Sequence, residues 1–346
     1  MKSRIPLSHF FGMLFLAYIS VLIIIMQESE APANPLVSQK EDDSQTFNSQ
    51  WDWPQKQLEE MGFPFNSTGL RNLPSAQELL NFVGKSPVIF DGTDSININD
   101  QCSEFRRSVH GESDRWIGVA GLFNTGTNLL FSLLRQNCIM PIDQRATGIR
   151  WQVPWGKHTF ADNYTHNTHT YEGVSFDRDH ILTVVTTRDP YEWGKSMCRN
   201  PYIVKWNERT SPRTCPNLAS TVDAWGTHEN LMHFWNTWHR KYLENFPYSK
   251  IVVRVEDLTL RPRETIKEVC SCAGGTLVKQ FRYVVDNAKH GHGHADTSTG
   301  MVKAWSRFHW PREARAGLPV ESYKIATESI DKTLMNLFGY THPPPV

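Results

Sequence analysis

The sequence predicts an α/β fold with a mostly parallel sheet in three α/β/α layers. Three observations carry this. From Arg115 onward, short apolar or β-branched runs alternate with longer stretches of helical periodicity. A glycine-rich turn, Gly121 to Gly126, joins the first run to the first helix. The second run stops at Arg188-Asp189-Pro190, where the proline ends the strand and can open a helix.

Taken in order, Trp116 to Ala120 reads as the first strand, apolar and bounded by glycine. Asn128 to Cys138 follows as a helix, with Leu129, Leu130, Leu133 and Leu134 at helical spacing. Ile181 to Thr187 is the second strand, and Tyr191 to Met197 starts the next helix. Thr221 to Phe246 reads as one long helix, with Trp225, Leu231, Phe234, Trp235, Trp238 and Tyr242 mostly on one face. Ile251 to Val255 is the third strand, and Thr265 to Ala273 and Ile325 to Phe338 are helices. Ser75 to Val83 is a short helical stretch in an otherwise weak pattern. Ligands of such sheets bind beyond the carboxyl ends of the strands.

The N-terminus sets the compartment. Lys2 and Arg4 precede an uncharged run, Phe10 to Met26, and Gln27-Glu28-Ser29-Glu30 follows it. At about 1.5 Å per residue the run spans about 26 Å, the short end of what crosses a bilayer. Basic residues before it and acidic residues after it predict a type II signal-anchor with the rest of the chain lumenal. A thin Golgi-type membrane matches the short span. A cleaved signal peptide is the alternative, since Ala31-Pro32-Ala33 has the small-x-small shape of a cleavage site. The predicted organisation is a cytosolic tail (1–9), an anchor (10–26), a stem and N-terminal extension (27–112) and a catalytic domain (113–346). Asn66-Ser67-Thr68 and Asn163-Tyr164-Thr165 are glycosylation sequons, which fits a lumenal address. Six cysteines allow 15 full connectivities, and Cys198 with Cys215 would close a short loop.

Composition narrows the function. Lys+Arg and Asp+Glu are both 36, so no basic excess points to nucleic acid. The 12 Trp suit core packing or stacking on a sugar or adenine. No CxxC is present, and Cys270-x-Cys272 has no second half, so no metal site is predicted there. His290-Gly291-His292-Gly293-His294 reads as a mobile loop, since glycine beside each histidine gives no fixed ligand geometry.

Chemistry enters at Gly121-Leu122-Phe123-Asn124-Thr125-Gly126-Thr127-Asn128. Glycines let a tight loop aim successive N–H groups at one point, and the helix N-terminus adds its own donors and partial positive charge. The result is a phosphate or sulfate cradle. The spacing is P-loop-like, G-x-x-x-x-G, but Thr127 stands where a triphosphate-binding loop has lysine. A nucleotide with fewer linked phosphates therefore fits better. At the end of the second strand, Arg188 offers a bidentate fork, and a helical turn swings Ser196 back beside it. Together they form a second phosphate grip.

These residues resemble the sulfotransferase family, which uses 3′-phosphoadenosine 5′-phosphosulfate. Phe123 to Thr127 is similar to the family's 5′-phosphosulfate loop, and Arg188-Asp189-Pro190 with Ser196 to its 3′-phosphate element. Arg254-Val255-Glu256-Asp257-Leu258 with Pro262 resembles a later R-x-E-D-L segment, and Leu337-Phe338-Gly339-Tyr340 the C-terminal helix ending. The resemblance covers about 115–342. It implies Asn124, Thr125, Gly126, Thr127, Asn128, Arg188 and Ser196 as donor-binding residues, and a hydroxyl or, less favoured, an amine of a carbohydrate acceptor. No metal is implied. The family usually has lysine where this chain has Asn124, and Lys157, then Lys195, is the candidate replacement cation. Lys157-His158 resembles the family's catalytic element, with His158 as base. Histidine suits that task near neutral pH. His166, His169 and His180 are rivals, and Glu172 is the carboxylate alternative. Lys289, Lys303, Trp305 and Arg307 are read as a loop closing over the donor.

Other classes remain open from sequence. A metal-dependent type II glycosyltransferase would use Asp177-Arg178-Asp179, although that pair precedes its strand and so reads as a solvated turn. A membrane-anchored nucleotide-binding module without turnover is favoured by Asn124. A small-molecule kinase is disfavoured by Thr127 and the lumenal address.

Overall fold

The computed structural model describes residues 98–142, 148–165, 177–206, 220–284 and 320–342, with 57, 60, 84, 87, 89 and 90. In chain order the elements begin with β1 (Ile89–Phe90), α1 (Ile98–Ser108), β2 (Trp116–Gly121), α2 (Thr127–Asn137), β3 (Cys138–Ile139) and β4 (Ile149–Arg150). They continue with β5 (Ile181–Thr187), α3 (Pro190–Arg199), β6 (Lys205–Trp206), β7 (Val222–Asp223), β8 (Thr227–His228) and α4 (Leu231–Glu244). The last are β9 (Lys250–Arg254), α5 (Val255–Leu260), α6 (Pro262–Cys272), β10 (Thr276–Leu277), α7 (Val320–Ser329) and α8 (Lys332–Leu337).

The central sheet has the order β1-β9-β5-β2-β4. The pairs β9·β5, β5·β2 and β2·β4 are parallel, and β1 is an antiparallel edge. The fold is therefore α/β with a mostly parallel sheet. Strand alternation divides the core. Ile117, Val119, Leu182, Val184, Ile251 and Val253 pack with α1, α2 and α6. Ala120, Val185 and Val252 pack with the aromatic residues of α3 and α4 and with α7 and α8. Helices on both faces are compatible with three α/β/α layers. The chain runs from β2 to β4 on one side, then returns to β5 on the other side of β2. The order thus reverses at β2, and crevices form beyond the carboxyl ends of strands at such points.

The segment before 113 takes part in this core: Phe105 of α1 and Val109 just after it are buried in it. Two disulfides fasten α6, Cys102–Cys272 to α1 and Cys138–Cys270 to the start of β3. Their sequence separations are 170 and 132, and bridges closing long loops contribute about 2–5 kcal/mol each. Cys198 is also disulfide-bonded; the predicted partner, Cys215, lies outside the described residues.

Two predicted helices are corrected. The 221–246 stretch is a β-ribbon followed by α4, because Asn230 caps a new helix by accepting from Met232 N and His233 N. Gly226 has a left-handed φ of 134°, and no helix passes through it. The 325–338 stretch is two helices, because Asp331 accepts from Thr333 N and Leu334 N and starts α8.

Among the described residues no helix is long and apolar enough to cross a membrane. The predicted anchor (10–26) and stem, the 75–83 stretch, Asn66, the glycine-histidine tract and the late loop with Lys289, Lys303, Trp305 and Arg307 all lie outside those residues. Asn163 lies in a 3-10 turn, Ala161–Thr165, half-buried.

Candidate functional site

The loop after β2 is built to bend back on itself. A Cβ at Gly121 would lie 2.0 Å from Thr186 Oγ1, and one at Gly126 2.5 Å from Val255 Cγ2. Gly126 is left-handed with φ 78°, and Asn124 with φ 63° is one of three non-glycine residues described there. Asparagine tolerates this region better than most side chains. Thr125 Oγ1 donates to Leu122 O at 2.6 Å and lies 2.8 Å from Thr186 Oγ1, tying the turn to β5. Helices α3, α4 and α8 are capped by Asp189, Asn230 and Asp331, whereas Gly126 gives α2 no side-chain cap. The first N–H groups of a helix have no partner within it, so they stand ready for an anion.

Arg188 leaves the end of β5, the parallel neighbour of β2. Its Nη1 donates to Ser196 Oγ at 2.9 Å and to Asn124 O at 3.2 Å. The guanidinium is thus in contact with the glycine loop itself. Arg199 Nη2 reaches the same Ser196 hydroxyl at 3.4 Å, so two cations converge on it. Arg199 was not singled out from sequence, since only the turns of α3 bring it next to Ser196. Glu192 lies between Arg188 and Lys195, at 3.8 and 3.1 Å.

The backbone beside Arg188 is held from below. Glu256 accepts from Asp189 N at 3.0 Å and from Tyr340 OH at 2.9 Å. Arg254 and Arg261 both donate to Asp257, which is fully buried. Glu256, with Tyr340 behind it, therefore latches the Arg188 turn. Asp189 caps α3, and burial with Glu256 nearby pushes its carboxyl up to about 7. A raised folded-state value means that stability from this group is full below about pH 4 and is lost as pH rises through 7. Asp189→Asn keeps a capping oxygen and removes the acid. Melting temperatures recorded from pH 4 to pH 7 are expected to fall less steeply in this variant than in the parent; equal slopes would contradict it.

The segment after β4 closes the other side of the loop. Gly121 N donates to Lys157 O at 2.7 Å. Lys157 Nζ donates to Asn128 Oδ1 at 2.8 Å and lies 3.6 Å from the Trp151 ring centroid. Lys157 is thus buried at the first turn of α2. His158 Nδ1 lies 2.6 Å from Gly121 O. A carbonyl only accepts, so Nδ1 carries a proton, and in the neutral imidazole the lone pair is then on Nε2. The imidazole also packs on Phe123, with centroids 4.2 Å apart.

The structure thus brings together Asn124, Thr125, Gly126, Thr127, Asn128, Lys157, His158, Arg188 and Ser196. His180 sits at the amino end of β5, the opposite edge, as do Asp177 and Asp179 in their turn. His166, His169 and Glu172 lie outside the described residues. Asn124 itself is committed elsewhere: its Nδ2 donates to Asn200 O at 3.0 Å and lies 3.2 Å from Met197 Sδ. Comparison with protein-family models, curated proteins and solved structures yields no match to this chain.

Proposed function

We propose that this chain is a Golgi-type, membrane-anchored sulfotransferase that moves a sulfuryl group from 3′-phosphoadenosine 5′-phosphosulfate to a hydroxyl of a lumenal carbohydrate. The observation that carries the reading is the Arg188 guanidinium, hydrogen-bonded to Ser196 and 3.2 Å from Asn124 O. It sets a cationic grip beside a helix start without a side-chain cap, on adjacent parallel strands of the sheet. One bisphosphorylated adenosine can bridge the two. The disulfides support an oxidising compartment.

In this reading the loop amides from Asn124 to Asn128 hold the 5′-phosphate, and Arg188 with Ser196 holds the 3′-phosphate. The acceptor oxygen bonds to sulfur while the bond from sulfur to the 5′-phosphate oxygen breaks. His158 Nε2 takes the acceptor proton, and adenosine 3′,5′-bisphosphate leaves. Lys157 replaces the lysine absent at position 124 and neutralises charge on the transferring group. Positioning and electrostatics supply most of the rate, as in phosphoryl transfer.

A second reading has one observation in its favour. The Asn124 amide is engaged by Asn200 and Met197, so it is not available to the leaving oxygen. A binding module without turnover follows if Lys157 does not compensate. Incubating the full-length chain in detergent with ³⁵S-labelled donor and a glycan panel separates the two. Label on a glycan is the expected outcome; nucleotide binding with no label on any acceptor would favour the module.

A further inference from the structure

We propose that Trp151 is a positioning residue whose indole seats the Lys157 ammonium at the first turn of α2. The proposal deepens the sulfuryl-transfer reading and rests on it for what the ammonium does there, which is to neutralise charge on the transferring group.

The seat comes from the path of the chain after β4. That segment continues alongside β2, pinned where Val153 N donates to Val119 O at 3.1 Å and Gly121 N to Lys157 O at 2.7 Å. Between the pins it turns. Gly156 N donates to Val153 O at 3.0 Å, and Gly156 has a left-handed φ of 97°. The turn brings Trp151 and Lys157 together. Lys157 Nζ lies 3.6 Å from the centroid of the Trp151 ring, within the range of a cation–π contact. Asn128 fastens both, since its Oδ1 accepts from Lys157 Nζ at 2.8 Å and from Trp151 Nε1 at 3.0 Å. The indole is thus held by its N–H while its face carries the charge.

Burial separates this from core packing. Trp155, in the same segment, is fully buried and donates from Nε1 to Tyr242 OH, whereas Trp151 is 42% exposed and belongs to neither core. Lys157 is only 6% exposed. A ring half in water therefore covers an ammonium that is out of it. The placement also runs against the helix dipole, because the start of a helix carries partial positive charge and disfavours a cation. The aromatic face and the carbonyl oxygen lower that cost. An anion at the start of α2 reverses its sign, since helix and ammonium then share the anion. Lysine is a point charge on a flexible stem, so a ring and an acceptor that fix it supply the geometry a transferring group requires.

Two measurements on the full-length chain in detergent test this. In protein labelled with ¹³C-lysine, the ε-CH₂ signal of Lys157 is identified by its loss in Lys157→Arg. It is expected upfield of the other lysine signals, shielded by the ring face. It should move to the ordinary position in Trp151→Leu and stay shifted in Trp151→Phe. The second measurement is transfer from ³⁵S-labelled donor. Here kcat should fall roughly tenfold in Trp151→Leu and recover to within about threefold of the parent in Trp151→Phe. Adenosine 3′,5′-bisphosphate affinity should stay within about threefold in both, because charge on the transferring group develops in the transition state. Adding Trp151→Leu to Lys157→Ala should cost no further rate, since the ring acts through the ammonium. Rate losses that multiply with Lys157→Ala, an equal loss of nucleotide affinity, or a Lys157 signal unmoved by Trp151→Leu would overturn the seat. An upfield signal that Trp151→Leu abolishes, in a parent chain that labels no acceptor, would support the seat and overturn the transferase reading.

Discussion

Arg188→Ala is expected to weaken adenosine 3′,5′-bisphosphate binding by about a hundredfold, because hydrogen bonds to charged groups contribute about 1.5–3 kcal/mol and a fork supplies more than one. The variant should still fold. The turn is fixed by Asp189 N on Glu256 and by the Asp189 cap, neither of which uses the Arg188 side chain. Glu192 keeps Lys195 as a cationic neighbour at 3.1 Å. Arg188→Lys should recover only part of the loss, since an ammonium is a point charge without the planar fork. Calorimetric titration checks both. Unchanged affinity in Arg188→Ala would remove the second grip from the account.

The second large effect is expected on the rate alone. His158→Ala should lower kcat by about 10²–10⁴, the usual range for loss of a positioned general base. Nucleotide affinity should stay within about twofold, because the grips do not use the imidazole. A parallel loss of nucleotide affinity would instead mean that the Nδ1 bond to Gly121 O shapes the loop. Rate and affinity measured on one preparation separate the two outcomes.

Much of this was legible in the residue order. The run Ile181–Thr187 is a strand over its whole predicted length, since five consecutive β-branched residues, Thr183 to Thr187, favour a strand. Gly121 and Gly126 announced a tight turn, and Arg188 with Ser196 an anion grip. The helix boundaries at Asn230 and Asp331 are written in capping residues, and across 221–246 the aromatic stripe from Trp225 to Tyr242 masks the first of them. Other features depend on which elements become neighbours. The pairing of Cys270 and Cys272 with Cys138 and Cys102 needs α6 to lie against α1 and β3. The stacking of Phe123 between segments about 100 residues apart is likewise a product of strand order, as is the Glu256 latch beneath Arg188.

The most direct test compares adenosine 3′,5′-bisphosphate with adenosine 5′-monophosphate on the full-length chain. Two separate phosphate grips predict that the bisphosphate binds at least about a hundredfold more tightly, and that Arg188→Ala erases most of the difference. Equal affinity for the two nucleotides, or tighter binding of ATP with Mg²⁺ than of the bisphosphate, would contradict a site made from the 121–128 turn and the Arg188 fork.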